Sequence, residues 1–299
     1  MPTIRIAAAQ YPIEAFDRLD GYRAKLGRWV AEAAANRAQL LVFPEYGAME
    51  YAAASGAATA GNLQASLAAV SAALAEMDAA HADLARRHGL HILAASGPSE
   101  RPGGKYVNAA RLFGPSGSMG VQEKLIMTPF ERDWGISGGE RLRVFETALG
   151  RIGIAICYDS EFPLLVRAQV EAGADMILVP SCTEFVSGYS RVRTAALARA
   201  LENTCVTVLS PTIGDAPWSP AVDRNAGAAG VFVPAEHGFS ETGVVAEGIF
   251  NQPQWIYADV ALDRLRQIKA AGEMRNSTDW SAQPGAAPLA GHVDVVALT

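Results

Sequence analysis

Three segments of the chain each bring a reactive side chain to the end of an apolar run: Pro44-Glu45-Tyr46, Glu123-Lys124-Leu125 and Ile156-Cys157-Tyr158-Asp159. A thiol is a poor nucleophile until a base removes its proton, and a carboxylate can be that base. A lysine cation beside the pair favours both the thiolate and any oxyanion that its attack creates. Glu45, Lys124 and Cys157 therefore complement one another if the fold gathers them. Each alone has a plainer reading. A free cysteine is most often a small buried hydrophobe, and Glu45 with Lys124 could be a surface ion pair. Against the ion pair, Glu45 follows an apolar run and a proline at a strand end, where α/β proteins place ligands.

The elements that must position these residues follow from periodicity. Residues 3–10 alternate as a first strand, 18–36 have helical spacing that closes on Asn36, and 39–43 (QLLVF) form a short apolar strand that stops at Pro44-Glu45. A long helix over about 62–88, a strand at 90–96 and a hairpin-like pair at 106–113 and 121–127 follow, with Lys124 on or just after the second member of the pair. Strands at 144–147 and 150–158 put Cys157 at a strand's exit into a helix over 163–172, stopped by Gly173. A strand at 176–179, a helix at 191–203 and strands at 205–209, 230–234, 243–249 and 255–260 complete the pattern. Strands outnumber helices and several form hairpins, which predicts mixed sheets with helices on their outer faces. Residues 1–275 read as one domain. From 276 to 299 the Ser, Pro, Gly and Ala content reads as an extended tail.

The three segments resemble the signatures of the nitrilase superfamily of carbon-nitrogen hydrolases, which carry a glutamate, a lysine and a cysteine in this order. They stand here as LLVFPEYGAMEY, VQEKLIMTPFERDWGISGG and GRIGIAICYDSEFPLLVRAQVEAGADMILVPS, and the resemblance runs from Thr3 to about Asp263. It implies a four-layer α-β-β-α sandwich of two mixed β-sheets, without metal or organic cofactor, and usually homodimeric or a larger homo-oligomer. It implies that Cys157 attacks, Glu45 exchanges protons, and Lys124 with the Tyr158 backbone N–H holds the oxyanion. It carries a second glutamate onto Glu131. Glu123 competes by sequence, but neighbouring strand residues face opposite ways, so only one of Glu123 and Lys124 enters the site. Nitrilases proper follow the cysteine with Trp-Glu. The Tyr158-Asp159 here looks like the amidase and carbamoylase branches, so a small-molecule amide is the expected substrate and a nitrile the alternative.

Tyr46, Tyr51, Phe130, Trp134, Phe162 and Phe185 flank the motifs as pocket candidates, as do Cys182 and Glu184 at another strand exit, although aromatic residues there are as often core. Specificity is expected from loops 47–61, 129–139, 184–190 and 212–229. Arg191, Arg193, Arg199 and Glu202 read as a salt-linked helix face. His81, His88 and His91 lack companions at metal-ligand spacing and read as packing or solvated residues. The three cysteines are an odd number without C-x-x-C spacing, which speaks against a disulfide framework and a zinc site and predicts a reducing compartment. A net charge of -6 with dispersed basic residues excludes a nucleic-acid footprint. No membrane-length apolar run or signal-peptide pattern occurs, so a cytoplasmic location is expected. Two other classes fit the residues less well. A non-catalytic interaction module would not need the complete Glu-Lys-Cys set, and a redox thiol protein would need a resolving cysteine, absent near Cys157 in sequence.

Overall fold

A computed structural model describes residues 3–237, 239–289, 291 and 293–298. The first half of the chain supplies β1 (Ile4–Pro12), β2 (Leu40–Val42), β3 (His91–Leu93), β4 (Gly97–Arg101), β5 (Lys105–Phe113), β6 (Met119–Glu123) and β7 (Ile136–Ser137). Here β1, β2 and β3 run parallel, whereas β3, β4 and β6 lie antiparallel to β5. The second half supplies β8 (Leu142–Thr147), β9 (Gly150–Ile154), β10 (Met176–Ser181), β11 (Val206–Asp215), β12 (Arg224–Asn225), β13 (Gly230–Phe232) and β14 (Val244–Glu247). β9, β10 and β11 are parallel, and β8 and β13 are antiparallel additions. The chain then returns to the first sheet as β15 (Gln254–Val260), antiparallel to β1. The sheets join where the ends of β1 and β11 pair, Tyr11 opposite Thr212 and Pro12 opposite Ile213.

Alternation along the central strands explains the layers. Ile6, Ala8, Leu40 and Val42 belong to the same packed cluster as Val144, Ile152, Leu178 and Val208 of the other sheet. Ala7, Ala9, Leu41 and Phe43, on the opposite pleat, pack instead with Leu26 and Val30 of α1 (Leu19–Ala35). Because strand side chains alternate, the all-apolar QLLVF run serves two layers at once. The short helix α2 (Ala57–Ala60) leads to α3 (Leu63–His88), which adds Leu67, Val70, Leu74 and Met77 to the same outer cluster. Its start is capped by Asn62, whose side chain accepts from Ala65 N at 2.9 Å, and it ends at Gly89 with φ 65°. α4 (Pro129–Asp133) lies within the site. α5 (Pro163–Glu171) and α6 (Val186–Asn203) cover the second sheet with Val166, Val170, Val192 and Ala196. This is the α-β-β-α sandwich expected.

Three regions differ from the sequence reading. β4 lies in a stretch with no strand signature, because Gly97-Pro98-Ser99-Glu100-Arg101 is held by antiparallel pairing to β5 and not by its own propensity. The arginines of α6 do not form one linked face. Arg193 pairs with Glu247, Arg191 approaches Glu161 at 3.4 Å, and buried Arg199 binds both Glu202 and the Ser160 carbonyl. After α7 (Leu262–Ala271), the stretch read as an extended tail contains α8 (Asn276–Asp279) and β16 (Val293–Ala297). β16 adds in parallel to the edge of β8, and Leu298 is buried beyond it. Its Val-Asp-Val-Val alternation is short, and only the open edge of β8 makes it a strand.

Candidate active site

Glu45, Lys124 and Cys157 each lie within three residues of a strand end, after β2, β6 and β9, and the sandwich brings all three to one cavity. The cavity measures about 450 Å³. Its floor is a buried ion cluster. Lys124 Nζ donates at 2.7 Å to Glu45 Oε1 and at 2.7 Å to Glu131 Oε2. Asn108 Nδ2, from β5, donates to Glu45 Oε1 at 2.9 Å and to Glu131 Oε1 at 3.2 Å. Asn108 is itself oriented by Ser96, whose hydroxyl donates to Asn108 Oδ1 at 2.8 Å and accepts from Tyr46 N at 3.1 Å. The charges are thus paired and hydrogen-bonded, the condition under which burial is tolerated.

Glu131 is held by a helix start. Thr128 caps α4 and accepts from Glu131 N at 3.2 Å, while Thr128 N and Oγ1 both donate to Glu131 Oε2 at 2.9 Å. Tyr46 hydroxyl adds a bond to Glu131 Oε1 at 2.9 Å. Glu123, by contrast, turns away and pairs with Arg101, as strand alternation requires. The segment after Lys124 is anchored from the cysteine side. Asp159 accepts from Leu125 N at 3.0 Å and from Ile126 N at 2.8 Å, so the residue two after Cys157 fixes the loop that carries the lysine.

Two residues in this cluster have left-handed backbones without being glycine, Tyr46 with φ 53° and Cys157 with φ 49°. Both follow strands through sharp turns, a placement that stores strain and points a side chain out of the chain's path. The Cys157 thiol donates to the Cys182 carbonyl at 3.8 Å, and the charges of Glu45 and Lys124 act on it across the cavity floor. Cys182 Sγ in turn donates to Asn225 Oδ1 at 3.0 Å.

Burial pushes the Cys157 thiol well above its ordinary pKa, and the Glu45 carboxylate adds to the rise despite Lys124. Burial also raises Glu45, partly offset by Lys124. Glu131 falls the other way, because Lys124, Thr128 and Tyr46 outweigh its burial. For Lys124 burial opposes the charge, yet Glu45 and Glu131 overcome it and keep the ammonium protonated. The resting arrangement is therefore a neutral thiol beside a carboxylate whose proton affinity is enhanced, with a permanent cation between two carboxylates.

Of the pocket candidates, Tyr46, Phe130, Trp134, Cys182, Glu184 and Phe185 line the cavity with Tyr158. Tyr51 does not, and packs against the cluster under α3. Phe162 also stands outside the lining, edge-on to Tyr158 at 4.9 Å between ring centroids. Loops 129–139, 184–190 and 212–229 contribute to the lining, and loop 47–61 does not. The sequence reading missed Asn108, Thr128 and Asp159. Thr128 with Glu131 carries a recognisable capping-box pattern, whereas nothing local marks Asn108 in the middle of a strand. Buried His81 donates from Nδ1 to the Met77 carbonyl and stacks on Phe113, a packing role. Among the described residues no group of three or more His, Cys, Asp or Glu is placed to hold a metal ion, and no helix is long and apolar enough to cross a membrane.

This fold and this Glu-Lys-Cys floor define a class, and comparison with known proteins gives the same one. The family model for carbon-nitrogen hydrolases matches residues 5–270, and the chain belongs to that family. It is 41% identical over 198 residues to a probable hydrolase, YhcX, of Bacillus subtilis (strain 168), a match spanning 66% of this chain and 38% of that protein's length. To the omega-amidase NIT2 of Danio rerio it is 25% identical, over 62% of this chain and 67% of the relative. Among solved structures, Saccharomyces cerevisiae Nit3, of the nitrilase superfamily, shares the fold at a TM-score of 0.71 and 18% identity, over 90% of this chain and 94% of that one. The amidase from Nesterenkonia sp. AN1, with acrylamide added at its active-site cysteine, shares it at 0.65 and 22% identity, over 89% and 97%.

Proposed function

We propose that the protein hydrolyses a non-peptide amide or carbamoyl C–N bond through a thioester on Cys157. The single observation that carries this reading is that Cys157 lines one cavity with Glu45 and Lys124, the last two bonded at 2.7 Å. As the Cys157 sulfur bonds to the substrate carbonyl carbon, its proton passes to Glu45. Lys124 Nζ and the Tyr158 N–H stabilise the oxyanion. Glu45 returns the proton to the departing nitrogen as the C–N bond breaks. Glu45, again a carboxylate, then takes a proton from water that attacks the thioester, and breaking the C–S bond restores the thiol. Because the free thiol is buried and neutral, proton loss accompanies attack and does not precede it. Glu131 touches no reacting atom here and positions Lys124.

Amide hydrolysis is favoured over nitrile hydrolysis by Tyr158-Asp159 after the cysteine, and omega-amidase and amidase relatives agree with it. Self-association through the outer faces of α5 and α6, where Leu164, Val186 and Leu201 are exposed, belongs to the same reading, as does a reducing compartment for three free thiols. Ammonia release from a panel of amides, carbamoyl compounds and nitriles is the test. Wild type should release ammonia from amides and Cys157→Ala should lose at least about 10³-fold in rate. Equal behaviour of the two on every compound sinks the mechanism.

A further inference from the structure

The charges around the cavity are unequal. Five carboxylates line it, from Glu45, Glu131, Glu161, Glu184 and Asp223, against three cations from Lys124, Arg191 and Arg224, a formal balance of -2. Protonating Glu45 would leave the lining negative still. Two of the three cations are paired with carboxylates, and Arg224 stacks on an aromatic ring without an ion pair among the described residues. Lys124 is held between Glu45 and Glu131, Arg191 approaches Glu161, and the Arg224 guanidinium lies 5.4 Å from the centroid of the Phe185 ring.

Two carboxylates have no such partner. Among the described residues neither Glu184 nor Asp223 makes an ion pair, although Glu184 is half-buried. Both line the same cavity as Cys157. Glu184 is two residues beyond Cys182, whose carbonyl accepts from the Cys157 thiol, and the negative charge of Asp223 is felt at the Cys182 thiol. The remaining wall is aromatic, with Phe130, Trp134, Tyr158 and Phe185. Phe130 is 62% exposed, so its ring is open to a ligand, whereas the Phe185 ring already carries the Arg224 guanidinium. An aromatic wall next to an uncompensated carboxylate is the chemistry that holds an organic cation, by ring quadrupole and by charge.

Resting on the amide-hydrolase reading above, we infer that the preferred substrate carries a cationic group, an ammonium or guanidinium, on the part that lies toward the cavity mouth, with Glu184 as its counter-ion. The scissile amide sits at Cys157, and the cation is separated from it by a short aliphatic spacer that reaches from the floor to Glu184. A terminal carboxylate in that place meets Glu184 and Asp223 with like charge.

Two measurements test this. The first compares kcat/KM for three amides of matched length, 4-aminobutanamide, pentanamide and the monoamide of succinic acid. The cationic amide should exceed the neutral one by about fivefold or more and the anionic one should be the poorest. In Glu184→Gln the cationic-to-neutral ratio should fall toward one. A preference for the anionic amide, or a ratio that Glu184→Gln leaves intact, overturns the inference while leaving amide hydrolysis in place. The second needs no turnover. The rate of Cys157 alkylation by 2-bromoethylamine, iodoacetamide and iodoacetate, each normalised to a free small thiol, reads the charge of the cavity directly. The order should be cationic, neutral, anionic, and Glu184→Gln should compress it. The reverse order overturns the inference even if no amide is hydrolysed, and Cys157→Ala locates the alkylated thiol. If none of the amides turns over and the alkylation order holds, it is the hydrolase reading that fails and the cation site that stands.

Discussion

Glu45 and Glu131 grip the same ammonium, each 2.7 Å from Lys124 Nζ, yet burial raises the pKa of Glu45 while that of Glu131 falls below the ordinary carboxylate value. The difference lies in their other partners. Glu131 accepts two bonds from Thr128 and one from Tyr46, all of which favour its charged form, whereas Glu45 faces the cavity and the thiol. In the proposed mechanism these separated proton affinities give proton exchange to Glu45 and leave Glu131 as a fixed charge.

This separation sets a pH response. The rate of Cys157 acylation should rise with pH as Glu45 ionises, with a midpoint above the usual carboxylate value of about 4.3. The negative charge of Glu131 is one cause of that elevation. In Glu131→Gln the midpoint should therefore move to lower pH while the maximal rate drops through looser placement of Lys124. A pH profile of kcat/KM for both forms checks the sign, and a midpoint unchanged or raised would contradict it.

Asn108 bridges the two carboxylates from β5. Asn108→Ala leaves buried acceptors short of a donor, a loss of about 1–3 kcal/mol in stability, and should lower kcat by about 10²-fold by loosening the floor. Asn108→Asp places a third carboxylate beside the pair and should be the worse of the two. Denaturant unfolding and steady-state kinetics on both variants separate the effects.

Asp159 ties the cysteine turn to the lysine loop through Leu125 N and Ile126 N. Asp159→Asn keeps the shape but gives up one acceptor, and should cost about 1–3 kcal/mol along with more than tenfold of kcat, with KM changed less. A larger effect on KM than on kcat would argue against a role in positioning Lys124.

A second buried ion pair, Lys25 with Glu50, lies beneath the turn that follows Glu45, and Tyr11 hydroxyl donates to Glu50 at 3.0 Å. Burial, partly offset by Lys25, pushes the Glu50 carboxyl up to about 7. A carboxyl raised in the folded state binds its proton more tightly there than in the unfolded chain. Its contribution therefore favours folding at low pH and is lost as pH rises from about 4.3 to about 7. Thermal unfolding of Glu50→Gln across that window should show a flatter pH dependence than the parent, at a lower overall midpoint because Lys25 has lost its partner.

β16 closes the exposed edge of β8. Ending the chain after residue 282 should lower the unfolding temperature and uncover Leu142 and Val144, whose neighbours on that edge are lost. The cavity lies elsewhere, so Cys157 alkylation at a temperature well below the transition should proceed at nearly the parental rate. A truncated chain with unaltered stability would mean that the strand adds nothing to the sheet.

Particular residues show how far local pattern reaches. The continuous QLLVF run announced a strand buried on both faces, and the ends of β2, β6 and β9 carry Glu45, Lys124 and Cys157 within a few residues of where periodicity put them. Glu131 was reached through its place after Lys124 in a resembling segment, and its capping box with Thr128 supports the local geometry. Tyr51 and Phe162 were named for nearness to the motifs along the chain, but a residue a turn away from a motif can face the opposite layer, and both do not line the cavity.

The elements and the chemistry at their ends are legible locally, because hydrophobic period, caps and strand stops are written within a dozen residues. Which side chains surround that chemistry is settled by the packed fold. Asn108 meets Glu45 across 63 positions of chain, Asp159 meets the Lys124 loop across 34, and Cys182 reaches Asn225 across 43. Such contacts depend on the register of strands and the angle at which two sheets stack, and no local spacing encodes either. For the same reason β16 read as a tail until the free edge of β8 supplied the partner that makes it a strand.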